Sequence, residues 1–227
     1  MSNGNIMALL LFFIFIIFIA FVLIKKRTSQ SIKFEPAVRV LYSIPATKEQ
    51  IESERQSQEE IIKLLEVNIV ASGYFRKEKI PELISLIRTG AIPFGRVNTK
   101  IAFDGDAILT VDEKKKLGLN TRMKYSRKFI EYFDPKSFTT IEPKSTLECM
   151  HLDAFYRMSR KNDLIRFKKD GFVKQVKIDV INDCFTCNKV KRFKKIYNID
   201  EVPELPLPGC DAPYCRCGYK PIIDRSI

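Results

Sequence analysis

The chain has 227 residues, a formal charge of +12 at pH 7, one histidine and six cysteines. That length buries an ordinary core without staples, and the cationic excess points to anionic partners, nucleic acid or acidic lipid head groups. A lone histidine, with no Gly-rich phosphate loop, G-x-S-x-G or H-E-x-x-H, excludes the commonest hydrolase signatures.

From Ile6 to Ile24 the chain reads IMALLLFFIFIIFIAFVLI, free of charge, Pro and Gly. As a helix rising about 1.5 Å per residue, such a run matches a hydrocarbon core of roughly 30 Å. A cleaved secretory signal is the competing reading. Against it, no basic segment precedes the run, and Lys25-Lys26-Arg27 follows where small residues would mark a cleavage site. The expectation is an uncleaved single-pass anchor. Lys33 and Arg39 lie on the same side, so the positive-inside rule places the N-terminus outside. The C-terminal domain is then cytoplasmic, at the inner (plasma) membrane. The boundaries read as 1–27 anchor and basic flank, 28–46 linker, 47–171 mainly helical domain, and 172–227 strand plus cysteine-rich module.

Helical signals begin at Thr47-Lys48-Glu49-Gln50, a capping box. Ile51, Ile61, Ile62, Leu65 and Ile69 supply an apolar stripe ending near Ser72-Gly73. A second helix starts around Pro81, favoured at a first helical position, and stops at Thr89-Gly90. Leu83, Ile84, Leu86 and Ile87 are its core face. Residues 91–110 read as a loop with a short hairpin, Asp104-Gly105 being the turn candidate. Thr110 to Glu113 is another capping box, opening a short helix that Gly118 terminates.

The next stretch interleaves Arg122, Lys124, Arg127 and Lys128 with Tyr125, Phe129, Tyr132 and Phe133. Basic–aromatic mixing resembles nucleic-acid surfaces, but helical spacing explains Phe129, Ile130 and Phe133 as core without a partner. The longest helix is expected from a third capping box at Ser145 to Glu148, running to Gly171. His151 and Cys149 lie in its first turns and read as structural residues. Val176, Ile178 and Val180 then alternate with Lys177 and Asp179, a half-buried strand.

That strand delivers the chain into Cys184-Phe185-Thr186-Cys187, and Cys210, Cys215 and Cys217 follow. A C-x-x-C knuckle with later cysteines is the general plan of a structural zinc site. Cys184 and Cys187 form the first pair, Cys210 is the third ligand, and Cys215 the fourth with Cys217 as alternate. In an extended C-x-C the two side chains point opposite ways. Disulfides and unligated thiols are the competing readings; a reducing compartment favours thiolate–metal ligation. Four thiolates leave no open position, so zinc here would stabilise rather than catalyse. Beside them, Lys189, Lys191, Arg192, Lys194 and Lys195 form a dense cationic run, either an anion-binding patch or a solvated face. The fold class is thus α+β: an N-terminal transmembrane helix, a mainly helical middle and a small C-terminal module like a zinc ribbon or treble clef.

Cys184/Cys187, Lys194 to Tyr197, Glu201 to Pro206, Cys210 and Cys215 to Tyr219 together resemble a cysteine module at the C-termini of bacterial membrane-anchored proteins. More distantly, this stretch is similar to the tail of phage head-morphogenesis proteins, where a histidine stands near the place of Cys210. The resemblance implies metal binding and a bacterial membrane setting, and carries no activity with it.

The leading functional expectation is a membrane-anchored, basic, zinc-stabilised module that recruits a protein, nucleic acid or anionic lipid. Lipid is the cheapest partner physically, since the anchor holds the cations near acidic head groups. One alternative is a metal-dependent nuclease or other hydrolase, drawing on Asp104, Asp106 and Asp112. Another is nucleic-acid binding without catalysis.

Overall fold

Four helix caps, at Thr47, Thr110, Ser126 and Glu142, and one long shared helix explain most of the architecture. The computed structural model describes residues 47–91, 97–105, 107–181, 186, 188–190 and 195–223, which belong to one compact unit, residues 47–227. Helix α1 (Lys48–Ser72) starts where the Thr47 hydroxyl accepts from Gln50 N at 3.2 Å and the Gln50 side chain accepts from Thr47 N at 2.8 Å. Reciprocal bonds of this kind satisfy two helix-end donors at once. It ends at Gly73, whose φ of 69° suits a residue without a Cβ. Ile61, Ile62, Leu65 and Ile69 bury one stripe, while Ile51, expected on it, is exposed.

Helix α2 (Ile80–Thr89) carries Pro81 in its first turn and buries Ile80, Leu83, Ile84 and Ile87. Residues 99–103 form a 3-10 turn instead of half a hairpin. Gly105 lies against Ser126, where an added Cβ would approach within 2.9 Å of the serine Cβ. The extended contact made there is a single bridge, Ile108 to Ser126.

Helix α3 (Val111–Lys116) has the expected Thr110–Glu113 capping box. Glu113 also pairs with Arg127. Its carboxyl is held down at about 2 by the Thr110 N–H, then the Thr110 hydroxyl, then Arg127. Lys114 is buried, its ammonium donating to the carbonyls of Thr121 at 2.6 Å and Met123 at 3.0 Å.

Helix α4 (Arg127–Glu131) is one short turn capped by Ser126. It sets Phe129 and Phe133 into an aromatic cluster. Ring centroids stand 4.3 Å apart for Phe75–Phe133, 4.9 Å for Phe103–Phe129 and 5.2 Å for Phe129–Phe133. Tilted and edge-on rings at these separations add about 1 kcal/mol per pair beyond area burial.

Helix α5 (Pro143–Asp170) begins before the expected Ser145 box. Glu142 is its N-cap, accepting from Lys144 N and Ser145 N, with Pro143 in the first turn. The same carboxylate accepts from the Tyr125 hydroxyl at 2.6 Å. Burial, then this carboxylate, pushes the phenol well above its ordinary pKa.

Helix α5 threads two cores. Leu147, Ala154 and Met158 join the helical core with α1, α2 and the aromatic cluster. Phe167, with Leu164 beside it, joins a second core under the sheet. That sheet comprises β1 (Gln175–Asp179), β2 (Ile196–Asn198) and β3 (Gly218–Ile222) in the order β2-β1-β3, antiparallel throughout.

The expected fold class needs correcting on both of its special elements. The expected anchor at 1–27 and linker at 28–46 lie outside the described residues. Among the described residues no helix is long and apolar enough to cross a membrane. The longest, α1 and α5, have the length, but charged side chains cover their outer faces. In place of a zinc ribbon or treble clef, the described tail is a three-stranded sheet over an apolar core. Among the described residues no three His, Cys, Asp or Glu side chains are placed to hold a metal ion. Neither the transmembrane helix nor the zinc ribbon of the expected fold class is found among the described residues, which form a mixed helix-and-sheet fold.

Candidate anion-binding face

Strand β1 alternates as its sequence dictates. Val176 and Ile178 face the core, and Gln175, Lys177 and Asp179 face outward. Directly opposed residues on antiparallel strands share a face. The register sets Lys177 opposite Ile196 on one side and Lys220 on the other. Ile178 stands opposite Tyr219, both buried. The open face therefore carries a row Ile196–Lys177–Lys220 across all three strands. Asn198, Gln175 and Ile222 form the row beside it, since Gln175 opposes both others.

Two like charges directly opposed destabilise a strand pair. Neither Lys177 nor Lys220 makes an ion pair with a described residue; of the described carboxylates near this face, Asp179 stands opposite Gly218 and Glu201 accepts from the Asn198 side chain at 3.1 Å. Ile196, the neighbour of Lys177 in that row, is half exposed. Outside the strands, Phe172 before β1 and Ile223 after β3 are 82% and 62% exposed.

The cationic run foreseen from the sequence is partly visible. Lys189 and Lys195 are exposed, and the Lys195 ammonium lies 4.8 Å from the Tyr197 ring centroid. Lys191, Arg192 and Lys194 lie outside the described residues. Lys177 and Lys220 were missed as site residues. The alternation of β1 already turned Lys177 outward, but nothing local marked Gly218–Ile222 as its partner strand.

The cysteines divide in the same way. Cys184 and Cys187, expected as the first metal pair, lie outside the described residues. Cys210, Cys215 and Cys217 are brought together around one narrow apolar cavity with Ile178, Val190 and Leu205. Cys215 is 3% exposed and Cys217 2%. Both C-x-C side chains thus enter the core, although opposite directions were expected. None of the three is in a disulfide. Burial, the leading cause, pushes the Cys215 thiol up to about 12. Burial thus favours the neutral thiol, as desolvation does for any buried acid.

The other candidates are placed as structure. His151 is buried within α5. Tyr125, Phe129, Tyr132 and Phe133 are buried too, so the basic–aromatic stretch offers no rings for base stacking. Asp112 sits in the first turn of α3 and Asp104 closes the 3-10 turn at 99–103; Asp106 lies outside the described residues. Compared with known proteins, the chain matches no family model, no curated relative and no solved structure.

Proposed function

We propose that residues 47–223 form a recruitment domain that docks on an anionic lipid surface through the open face of its sheet. The carrying observation is Lys177 facing Lys220 across paired strands without a carboxylate partner. An anionic surface converts that repulsion into attraction, each lysine near it contributing about 1 kcal/mol. The company these lysines keep favours lipid over nucleic acid. Ile196, in the row with Lys177 and Lys220, is an aliphatic side chain suited to the boundary between head groups and acyl chains, whereas base stacking needs exposed flat rings beside the cations and this row holds none.

The test is flotation of the 47–227 fragment with vesicles of neutral lipid, alone or with phosphatidylserine, at two salt concentrations. Binding should require phosphatidylserine, weaken with salt, and fall about thirtyfold in Lys177→Gln/Lys220→Gln. Binding to single-stranded DNA but not to vesicles would replace this reading with a nucleic-acid one. Vesicle binding unchanged in the double variant would remove the face from consideration.

A further inference from the structure

Arg160 is the most unusual buried group of the described chain. It sits on α5 between the two cores, 4% exposed. Its Nη1 donates to the carbonyls of Cys215 at 2.8 Å and Cys217 at 3.2 Å, and its Nη2 to that of Leu205 at 3.1 Å. These bonds bring the tail segments before β3 down onto the helix. A guanidinium carries five N–H donors, and its Nε has no hydrogen-bond partner. Among the described residues no carboxylate bonds to it: its hydrogen-bond acceptors are neutral carbonyls, and Asp153 acts on the charge only from a distance. Buried charges are ordinarily paired with an opposite charge, because desolvation is otherwise uncompensated.

Beside Arg160 lies a cavity of ≈ 530 Å³ between α1, α5 and the tail, within the range of about 300–1,000 Å³ usual for small-molecule sites. Arg157, Arg160 and Lys161 line it from α5, against Glu60 and Glu204. Glu60 is already engaged by Lys63 at 3.0 Å, and the Arg157 Nε is engaged by Asp153 at 2.7 Å. Leu64 and Leu164 supply apolar wall. The cavity is on the packed side of the sheet, where Tyr219 lines it, away from Lys177 and Lys220.

We propose that this cavity is a binding site for a small oxyanion, a carboxylate or phosphate group, with Arg160 as its buried anchor and Arg157 and Lys161 as the more exposed cations. Beyond its bond to Leu205, the Arg160 Nη2 keeps one N–H, a charge-assisted donor for an oxygen of such a group. An oxyanion there supplies the missing counter-charge. Because α5 and the tail contribute to one wall each, occupancy also ties the tail to the helix.

The full-length protein is titrated with inorganic phosphate, and arginine side-chain Nε–H resonances are followed. Acetate forms a second arm, and chloride at matched ionic strength is the control. One slowly exchanging Nε–H resonance should move saturably, with affinity about fivefold weaker in Lys161→Gln. Saturation by phosphate alone assigns a phosphate ligand; saturation by acetate assigns a carboxylate. Movement with neither, or equal movement with chloride, overturns the proposal. So does unchanged affinity in Arg157→Gln/Lys161→Gln, a double variant that leaves the buried Arg160 in place. None of these readouts involves a vesicle, so the lipid face and the cavity stand or fall separately.

Discussion

The helical core and the core beneath the sheet are built on different principles. The first is rings and aliphatic side chains from α1, α2, α4 and α5, with a capping box opening α1. The second rests on short strands, three of its members being Cys215, Cys217 and Tyr219, with a buried cation holding the loops before β3. Where apolar volume is plentiful, packing density alone sets the fold. Where it is scarce, hydrogen bonds from a single charged side chain take over the positioning.

The sharpest way to break that contrast is to damage each core and ask whether the other notices. Phe133→Ala removes a ring that contacts Phe75, Phe129 and Phe138. It should cost about 3–5 kcal/mol and lower the midpoint of denaturant unfolding by every probe. Arg160→Met should cost about 2–3 kcal/mol by stranding carbonyls of Leu205, Cys215 and Cys217. Its signature is regional: amide exchange should accelerate in 203–219 while the amides of α2 keep their protection. Uniform acceleration would show that the two cores unfold as one.

Smaller effects sharpen the comparison at the caps. Thr110→Ala removes the hydroxyl that caps α3 and should cost about 1 kcal/mol, read as a shift in the unfolding midpoint. The Glu113 carboxyl, held at about 2 when folded, ordinarily titrates near 4.3. Its folded value is depressed, so the stability it contributes is present above the unfolded pKa and lost as pH falls from there toward 2. Acid unfolding of Glu113→Gln should therefore be flatter across that window than that of the wild type, with the two profiles parallel above it.

What could be read from the chain beforehand follows from where each signal resides. The caps of α1 and α3 are local: Thr47 with Gln50, and Thr110 with Glu113, are three residues apart and announce themselves. The stripe of α1 was legible from Ile61 onward because its period repeats, and failed at Ile51, which the described residues leave 44% exposed. The start of α5 was misplaced because Glu142 is a less common cap than Ser145, and its choice depends on the distant Tyr125 hydroxyl. Strands β2 and β3 were invisible because three to five residues carry too little alternation, and their pairing with β1 is long-range. Arg160 stands in the mostly polar stretch Arg157–Asp163, where nothing local marks it as buried. Only the carbonyls some 45 to 57 residues later reveal its burial. The lysine face combined both cases, with Lys177 readable in its own strand and Lys220 meaningful only through register.

Helix α5 acts as a common axle, and an axle transmits phase as well as position. Each residue inserted into an α-helix rotates everything beyond it by about 100°. A single alanine added between Ala154 and Arg160 would leave Leu147 seated while swinging the guanidinium off its three carbonyls. The described tail would then lose its mooring although no tail residue had changed, whereas an insertion in the bend at 211–214 would leave that angular setting untouched.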